Sequence, residues 1–127
     1  MLGLKRYGEV RSTTASREQL LSLLLEAALA NIRAGRAALE EKRPLDAAKP
    51  LLKATQIVNQ LMATLDRRVA PELCDNIGKS YAFVCQRLLV ASTKKDAGAA
   101  AEAERVFTPV AEGLLEACRR QTAAAAR

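Results

Sequence analysis

The stretch Thr14-Ala-Ser-Arg-Glu-Gln-Leu-Leu-Ser-Leu-Leu-Leu25 opens the most apolar segment of this 127-residue chain. Ser16 and Gln19 have the spacing of a capping box, in which each side chain accepts a hydrogen bond from the backbone N–H of the other residue. A helix is therefore predicted to start here. The leucines and alanines that follow leave only a narrow polar line, whereas a bundle helix needs an apolar stripe of about 100°. This helix therefore lies in the middle of the fold, or it keeps one apolar face for another molecule.

Apolar stripes with helical spacing recur along the rest of the chain. After an arm over residues 1–15, we expect four helices, over residues 17–42, 46–65, 71–93 and 99–121. Alanine and leucine dominate the composition, and both favour helices because they lose little side-chain freedom there. Four helices with short connections predict a single all-α domain over residues 1–127, an antiparallel up-down four-helix bundle.

Two prolines and a glycine fall inside these predicted helices. With Asp46 as the N-cap of the second helix, Pro50 ends the first turn, where its missing N–H costs least. Pro109, in the middle of the fourth helix, predicts a bend or a break. Gly78 costs the third helix roughly 1 kcal/mol relative to alanine, which a close approach by a neighbouring backbone would explain.

The side-chain inventory argues against catalysis and against metal chemistry. The chain has no histidine, which removes the commonest general base and a frequent zinc ligand. Cys74, Cys85 and Cys118 form no C-x-x-C pair, and we expect them to be free thiols in a reducing cytosol. No phosphate-binding glycine loop is present. We therefore expect no enzymatic activity, no metal and no cofactor.

Charge and hydropathy limit the partners. The formal net charge is +6, yet the basic residues are scattered, so a solvated surface is a better interpretation than a nucleic-acid interface. The longest apolar run, residues 23–30, is far shorter than the ~20 residues of a membrane span. No apolar segment follows Lys5 and Arg6, so no secretory signal is predicted. We expect a cytoplasmic protein without membrane insertion.

Several phrases, in fixed order, resemble the FliS family of flagellar secretion chaperones, which escort flagellin. Residues 7–17 match its opening of tyrosine, valine and Thr-Ala-Ser-Pro, with Arg17 in place of the proline. Residues 53–61 match Lys-Ala-x-x-Ile-Ile-x-Glu-Leu, residues 76–81 match Asn-Leu-x-x-x-Tyr, and residues 87–96 match Arg-Leu-x-x-Ala-Asn with a Lys-Asp turn. The resemblance spans nearly the whole chain. Among its departures, Cys118 stands where the family commonly has tryptophan.

The resemblance implies a function and a set of binding residues. It implies that the disordered C-terminal segment of flagellin folds into helices along apolar grooves of the bundle, and that the N-terminal arm covers part of this surface. The flagellar export gate is a further partner to consider, and the protein is a monomer or a homodimer. The groove or arm positions are Tyr7, Val10, Thr14, Leu24, Leu25, Ala28, Ile57, Leu61, Ile77, Tyr81 and Leu88.

Other interpretations of the same residues stay open. Each of these positions also suits plain core packing. The bundle could instead be a structural or adaptor protein that binds another folded protein. A basic nucleic-acid-binding bundle is a further alternative, whose affinity would fall steeply with salt.

Overall fold

Four helices account for the part of the chain that the computed structural model describes, namely the backbone of residues 14–125 and the side chains of residues 17–124. They are α1 (Thr14–Glu40), α2 (Pro44–Ala63), α3 (Pro71–Lys94) and α4 (Ala97–Ala125). Residues 14–125 contain no β-strand. The predicted all-α fold is confirmed.

The helices form a ring in which each packs against two others. α1 packs against α2 and α4, and α3 packs against the same two helices on the other side. Short connections reverse the chain between successive helices, so neighbours are antiparallel and the bundle is of the up-down type. The contact between α1 and α2 is the most extensive, and the contact between α2 and α3 is the least extensive.

Two of the helices begin at a proline. α2 and α3 begin at Pro44 and Pro71, each in the first helical turn, where a fixed φ helps and no N–H is lost. The predicted N-cap at Asp46 is wrong: Arg43 is the N-cap residue, so Pro50 is the seventh residue of α2. α1 begins at Thr14, two residues before the predicted cap at Ser16, whose side chain lies outside the described residues.

The helix ends use two lysines in the left-handed conformation. Lys42, after α1, has φ of 59°, and the next amide, that of Arg43, donates to the Ala38 carbonyl at 2.8 Å. Lys95, after α3, has φ of 55°, and the amide of Asp96 donates to the Ala91 carbonyl at 3.2 Å. Both turns close free carbonyls in the pattern of a Schellman motif.

The fourth helix does not break at Pro109. α4 is capped by Asp96, whose carboxylate accepts from the amide of Ala99 at 3.2 Å, and it continues through Pro109 to Ala125. Pro109 is exposed, so its ring lies on the solvent side, where the carbonyl of Arg105, left without its helical donor, can bond water. Of the predicted bend or break, the break does not occur, and the bend stays a prediction.

One apolar core fills the ring. Tyr81 and Phe107 join α3 to α4 with ring centroids 6.2 Å apart, and burial raises the pKa of Tyr81 to about 12. No close approach explains Gly78, because a Cβ there would meet only Leu65, at 3.7 Å. At Gly35, by contrast, a Cβ would lie 2.4 Å from Leu51 Cδ2. Gly35 therefore lets α1 and α2 pack closely.

Candidate functional site

The predicted groove residues that the structure describes are core residues. Tyr7 and Val10 lie outside the described residues, and so does the side chain of Thr14, which is the first residue of α1. The other eight belong to one buried cluster and are at most 9 % exposed: Leu24, Leu25, Ala28, Ile57, Leu61, Ile77, Tyr81 and Leu88. Their contact with a guest stays a prediction, and in this structure they fill the core of the bundle.

The wide apolar surface of α1 is explained by its two neighbours. Its buried residues face α2 along one side and α4 along the other. On the α4 side, Glu104 accepts hydrogen bonds from Arg33 at 3.2 Å and from Arg36. Leu23, at 53 % exposed, is the exception among the large apolar side chains described on α1. The middle position of α1 therefore accounts for most of its apolar surface.

Two hollows flank the first turns of α1. The larger, about 670 Å³, lies between α1 and the end of α4 and is lined by Gln19, Ser22, Leu23, Cys118, Arg119, Thr122 and Ala123. The smaller, about 450 Å³, is lined by residues of the first α1 turns and by Thr64 of the α2–α3 connection. Cys118 of α4 is buried and lines the larger hollow. Both hollows lie beside the first described turns of α1.

A shallow apolar groove runs between α2 and α3, the least tightly packed helix pair. Cys85 Sγ of α3 and Asn59 Oδ1 of α2 are in contact across it at 3.7 Å. Leu52 lies two turns before Asn59 on the same face of α2, and Leu89 lies one turn after Cys85 on the same face of α3, so both leucines flank this contact. They are 60 % and 62 % exposed. These leucines are too exposed to serve the core, so they offer apolar surface to another molecule. We call this surface the α2–α3 groove.

The end of the α2–α3 groove near the α2–α3 connection widens into a hollow of about 300 Å³. Met62, Leu65, Gly78 and Ala82 line it, and the absence of a side chain at Gly78 lowers its floor. Arg67 and Asp75 also line it and form an ion pair across its rim at 2.5 Å. Lys79 stands at the same rim. The groove thus combines an apolar floor with a charged edge.

Helix geometry gives the length of the groove. From Leu52 to Ala63, the last residue of α2, is eleven residues, or about 16 Å at the rise of an α-helix, and Leu65 lies beyond that end. An amphipathic guest helix of about eleven residues would fill that length. Sequence reasoning missed this wall because Leu52 and Leu89 lie off the core stripes of their helices, a signal that was visible as leucines on otherwise polar faces.

The thiols of the described chain carry no metal site. No group of three or more metal-ligating side chains occurs within the described residues. The three cysteines are free, and burial raises the pKa of the Cys85 and Cys118 thiols, which keeps them in the unreactive protonated form. None of the helices described is long and apolar enough to cross a membrane.

Comparison with known proteins identifies the family. The family model of the flagellar protein FliS matches residues 3–121, nearly the whole chain. The chain belongs to the FliS family. The chain is 31 % identical to the flagellar secretion chaperone FliS of Salmonella typhimurium, and the match covers 87 % of this chain and 85 % of that protein.

Two further relatives agree with this membership. The flagellar secretion chaperone FliS of Bacillus subtilis is 30 % identical over 87 % of this chain and 82 % of its own length. The flagellar secretion chaperone FliSB of Pseudomonas aeruginosa is 26 % identical over 89 % of this chain and 93 % of its own length. The resemblance inferred from the sequence is therefore confirmed, and this FliS protein matches its relatives over most of their length.

Proposed function

We propose that this FliS protein is a cytoplasmic export chaperone that binds the disordered C-terminal segment of flagellin. The observation that carries the proposal is family membership over residues 3–121, with relatives that are named flagellar secretion chaperones. In this proposal the bound segment is withheld from premature polymerisation, and the complex is delivered to the flagellar export apparatus, whose gate is a second contact. The chaperone itself performs no chemistry.

The α2–α3 groove supplies the physical basis for holding such a segment. A disordered segment loses conformational entropy when it folds on a partner, so it must bury apolar surface to bind. Each leucine-sized side chain removed from water contributes roughly 1.5–3 kcal/mol. Leu52 and Leu89 are exposed leucines on facing helices, and an amphipathic helix laid between them would cover both.

The two hollows beside α1 support the second part of the proposal, a regulatory arm. Residues 1–13 precede α1 in the sequence, and the hollows lie on both sides of its first turns. Tyr7 and Val10 are the apolar side chains of this arm that we propose to compete with the guest. The core residues predicted as groove positions, among them Leu61 and Leu88, would act by holding the walls in place.

The test uses the full chain and the isolated C-terminal segment of flagellin from the same organism. Calorimetric titration should give saturable binding, and the segment should gain helical circular dichroism on mixing. In a sedimentation assay, the chaperone should delay polymerisation of purified flagellin. A mixture with no heat of binding, no gain in helix and no delay would exclude the proposal and favour an adaptor bundle for another folded protein.

A further inference from the structure

Two long segments of α2 and α3 contain cations and no acids. Residues 47–65 and 76–95, which form most of α2 and α3, contain six lysines and arginines and no aspartate or glutamate. The rest of the chain carries fourteen cations and fourteen acids, so its charges balance. These two acid-free segments, which border the α2–α3 groove, therefore carry an excess of six positive charges, and the acids Asp46, Glu72 and Asp75 of the same two helices lie before them in the first turns.

Most of these cations have no counter-charge in the bundle. Arg87 is the exception, since it donates to Glu102 of α4 at 3.0 Å. Lys49, Lys53, Lys79 and Lys94 form no ion pair with any residue between 17 and 124. The nearest acids along the chain are already engaged, because Asp46 pairs with Arg43, Asp75 pairs with Arg67, and the Asp96 carboxylate accepts from the amide of Ala99.

Two of the unpaired lysines stand at opposite ends of the groove. Lys79 lines the hollow at one end, together with Met62. Lys49 lies on α2 one turn before Leu52, which marks the other end. Met62 is thirteen residues beyond Lys49, so the two positive charges are separated by about 20 Å along the groove. Both lysines are exposed and can reach a helix placed between them.

We propose that the α2–α3 groove selects a guest helix with a leucine-type apolar face and acidic residues along its flanks. This inference rests on the proposed function, in which the groove receives a guest, and it adds the charge of that guest. The apolar face would cover Leu52 and Leu89, and the flanking carboxylates would meet Lys49 and Lys79. Charge complementarity of this kind fixes register and rejects guests with basic flanks.

A peptide fits these features better than a nucleic acid does. The unpaired lysines are far apart and are separated by exposed leucines, whereas a nucleic acid presents closely spaced phosphates. The hollow at the end of the groove near Lys79 is lined by no aromatic side chain on which a base could stack. We therefore treat RNA binding as an outcome that the experiment can detect.

The experiment compares three designed eighteen-residue amphipathic peptides with one shared leucine face and with flanks of glutamate, glutamine or lysine. We expect the glutamate peptide to bind the full chain at least about threefold more tightly than the glutamine peptide, as two exposed ion pairs allow, and the lysine peptide to bind weakest. Near 1 M salt, where charges are screened beyond about 3 Å, the order should collapse while binding persists.

Charge reversals on the protein complete the test. Lys49→Glu together with Lys79→Glu should invert the order of the glutamate and lysine peptides. Arg105→Glu on α4, an exposed cation with no ion pair among the described residues, should leave the order unchanged. Equal binding of all three peptides, or equal effects of Lys79→Glu and Arg105→Glu, would overturn the inference. So would displacement of the glutamate peptide by a short single-stranded RNA.

These outcomes separate the inference from the proposed function. If the flagellin segment binds but the three peptides do not differ, the chaperone proposal stands and the charge selectivity is wrong. If the glutamate peptide binds in preference and the flagellin segment does not bind, the groove has the proposed chemistry and its guest is another protein.

Discussion

The close packing of α1 on α2 can be tested by adding a single methyl group. In Gly35→Ala, the new Cβ would lie 2.4 Å from Leu51 Cδ2 and 2.7 Å from Leu51 Cγ, well inside the 3.5–4.0 Å that is optimal between carbon atoms. Leu51 is 1 % exposed, so its side chain is surrounded by the packed core. The helices must therefore move apart, or Leu51 must leave its rotamer.

The expected magnitude is a balance of two terms. Overpacking a core by one methyl group costs typically 1–3 kcal/mol, and alanine gains about 1 kcal/mol over glycine inside a helix. We expect Gly35→Ala to lower the free energy of unfolding by about 1 kcal/mol. Gly113→Ala in α4 is the matched control: nothing lies within 4 Å of its Cβ, so it should raise the free energy of unfolding by about 1 kcal/mol.

Urea unfolding followed by far-UV circular dichroism measures both variants. A double-mutant cycle with Leu51→Ala adds a second check, because the clash disappears when Leu51 is truncated and Gly35→Ala should then stabilise the protein. If Gly35→Ala stabilised the native background as much as Gly113→Ala does, the close approach of α1 and α2 would be refuted.

Three further predictions concern the turn, the buried tyrosine and the arm. Lys95→Gly should stabilise the protein by about 1 kcal/mol in urea unfolding, because Lys95 has φ of 55° and glycine adopts that conformation without strain; a loss of stability would contradict the assigned turn. Burial raises the pKa of Tyr81 to about 12, so folding favours its neutral form. The resulting contribution to the free energy of unfolding is full below the unfolded pKa of about 10 and is lost as the pH rises toward 12. Tyrosinate absorbance during alkaline titration should show one tyrosine that ionises late, and Tyr81→Phe should remove that phase. Deletion of residues 1–13 should tighten binding of the flagellin segment by calorimetry, and unchanged or weaker affinity would count against a gating arm.

The sequence was sufficient to predict the architecture because helix periodicity and punctuation agree along the chain. The stripes around Val58 and Tyr81 give the inward faces of α2 and α3, and Pro71 marks the start of α3 correctly. The exact cap was less predictable. Asp46 is a good N-cap residue by type, but Pro44 can occupy the first turn without loss of a hydrogen bond, so the helix starts earlier. Pro109 does not break α4, because its exposed position allows the helix to continue.

The site was harder to predict than the fold. An apolar residue on a stripe can belong either to the core or to a groove, and periodicity does not distinguish the two, so Leu25, Leu61 and Leu88 proved to be buried. In the first turn of α3, Leu73 is 56 % exposed while its neighbour Cys74 is buried, so the more apolar of two adjacent residues need not be the one that faces the core. The absence of acids over residues 47–65 and 76–95 was readable from the sequence, but its meaning depended on knowing that α2 and α3 share a groove.

The most direct test of the central claim compares two exposed leucines on one helix. Leu89 lies on the wall of the α2–α3 groove, and Leu73 lies sixteen residues earlier, about 160° around α3; they are 62 % and 56 % exposed. Replacement of either by glutamine leaves the charge unchanged and spares the core. By calorimetry with the flagellin C-terminal segment, Leu89→Gln should weaken the Kd at least about tenfold, as the loss of one buried leucine contact implies, while Leu73→Gln should change it little. A Kd unaffected by Leu89→Gln, or weakened only by Leu73→Gln, would contradict the account.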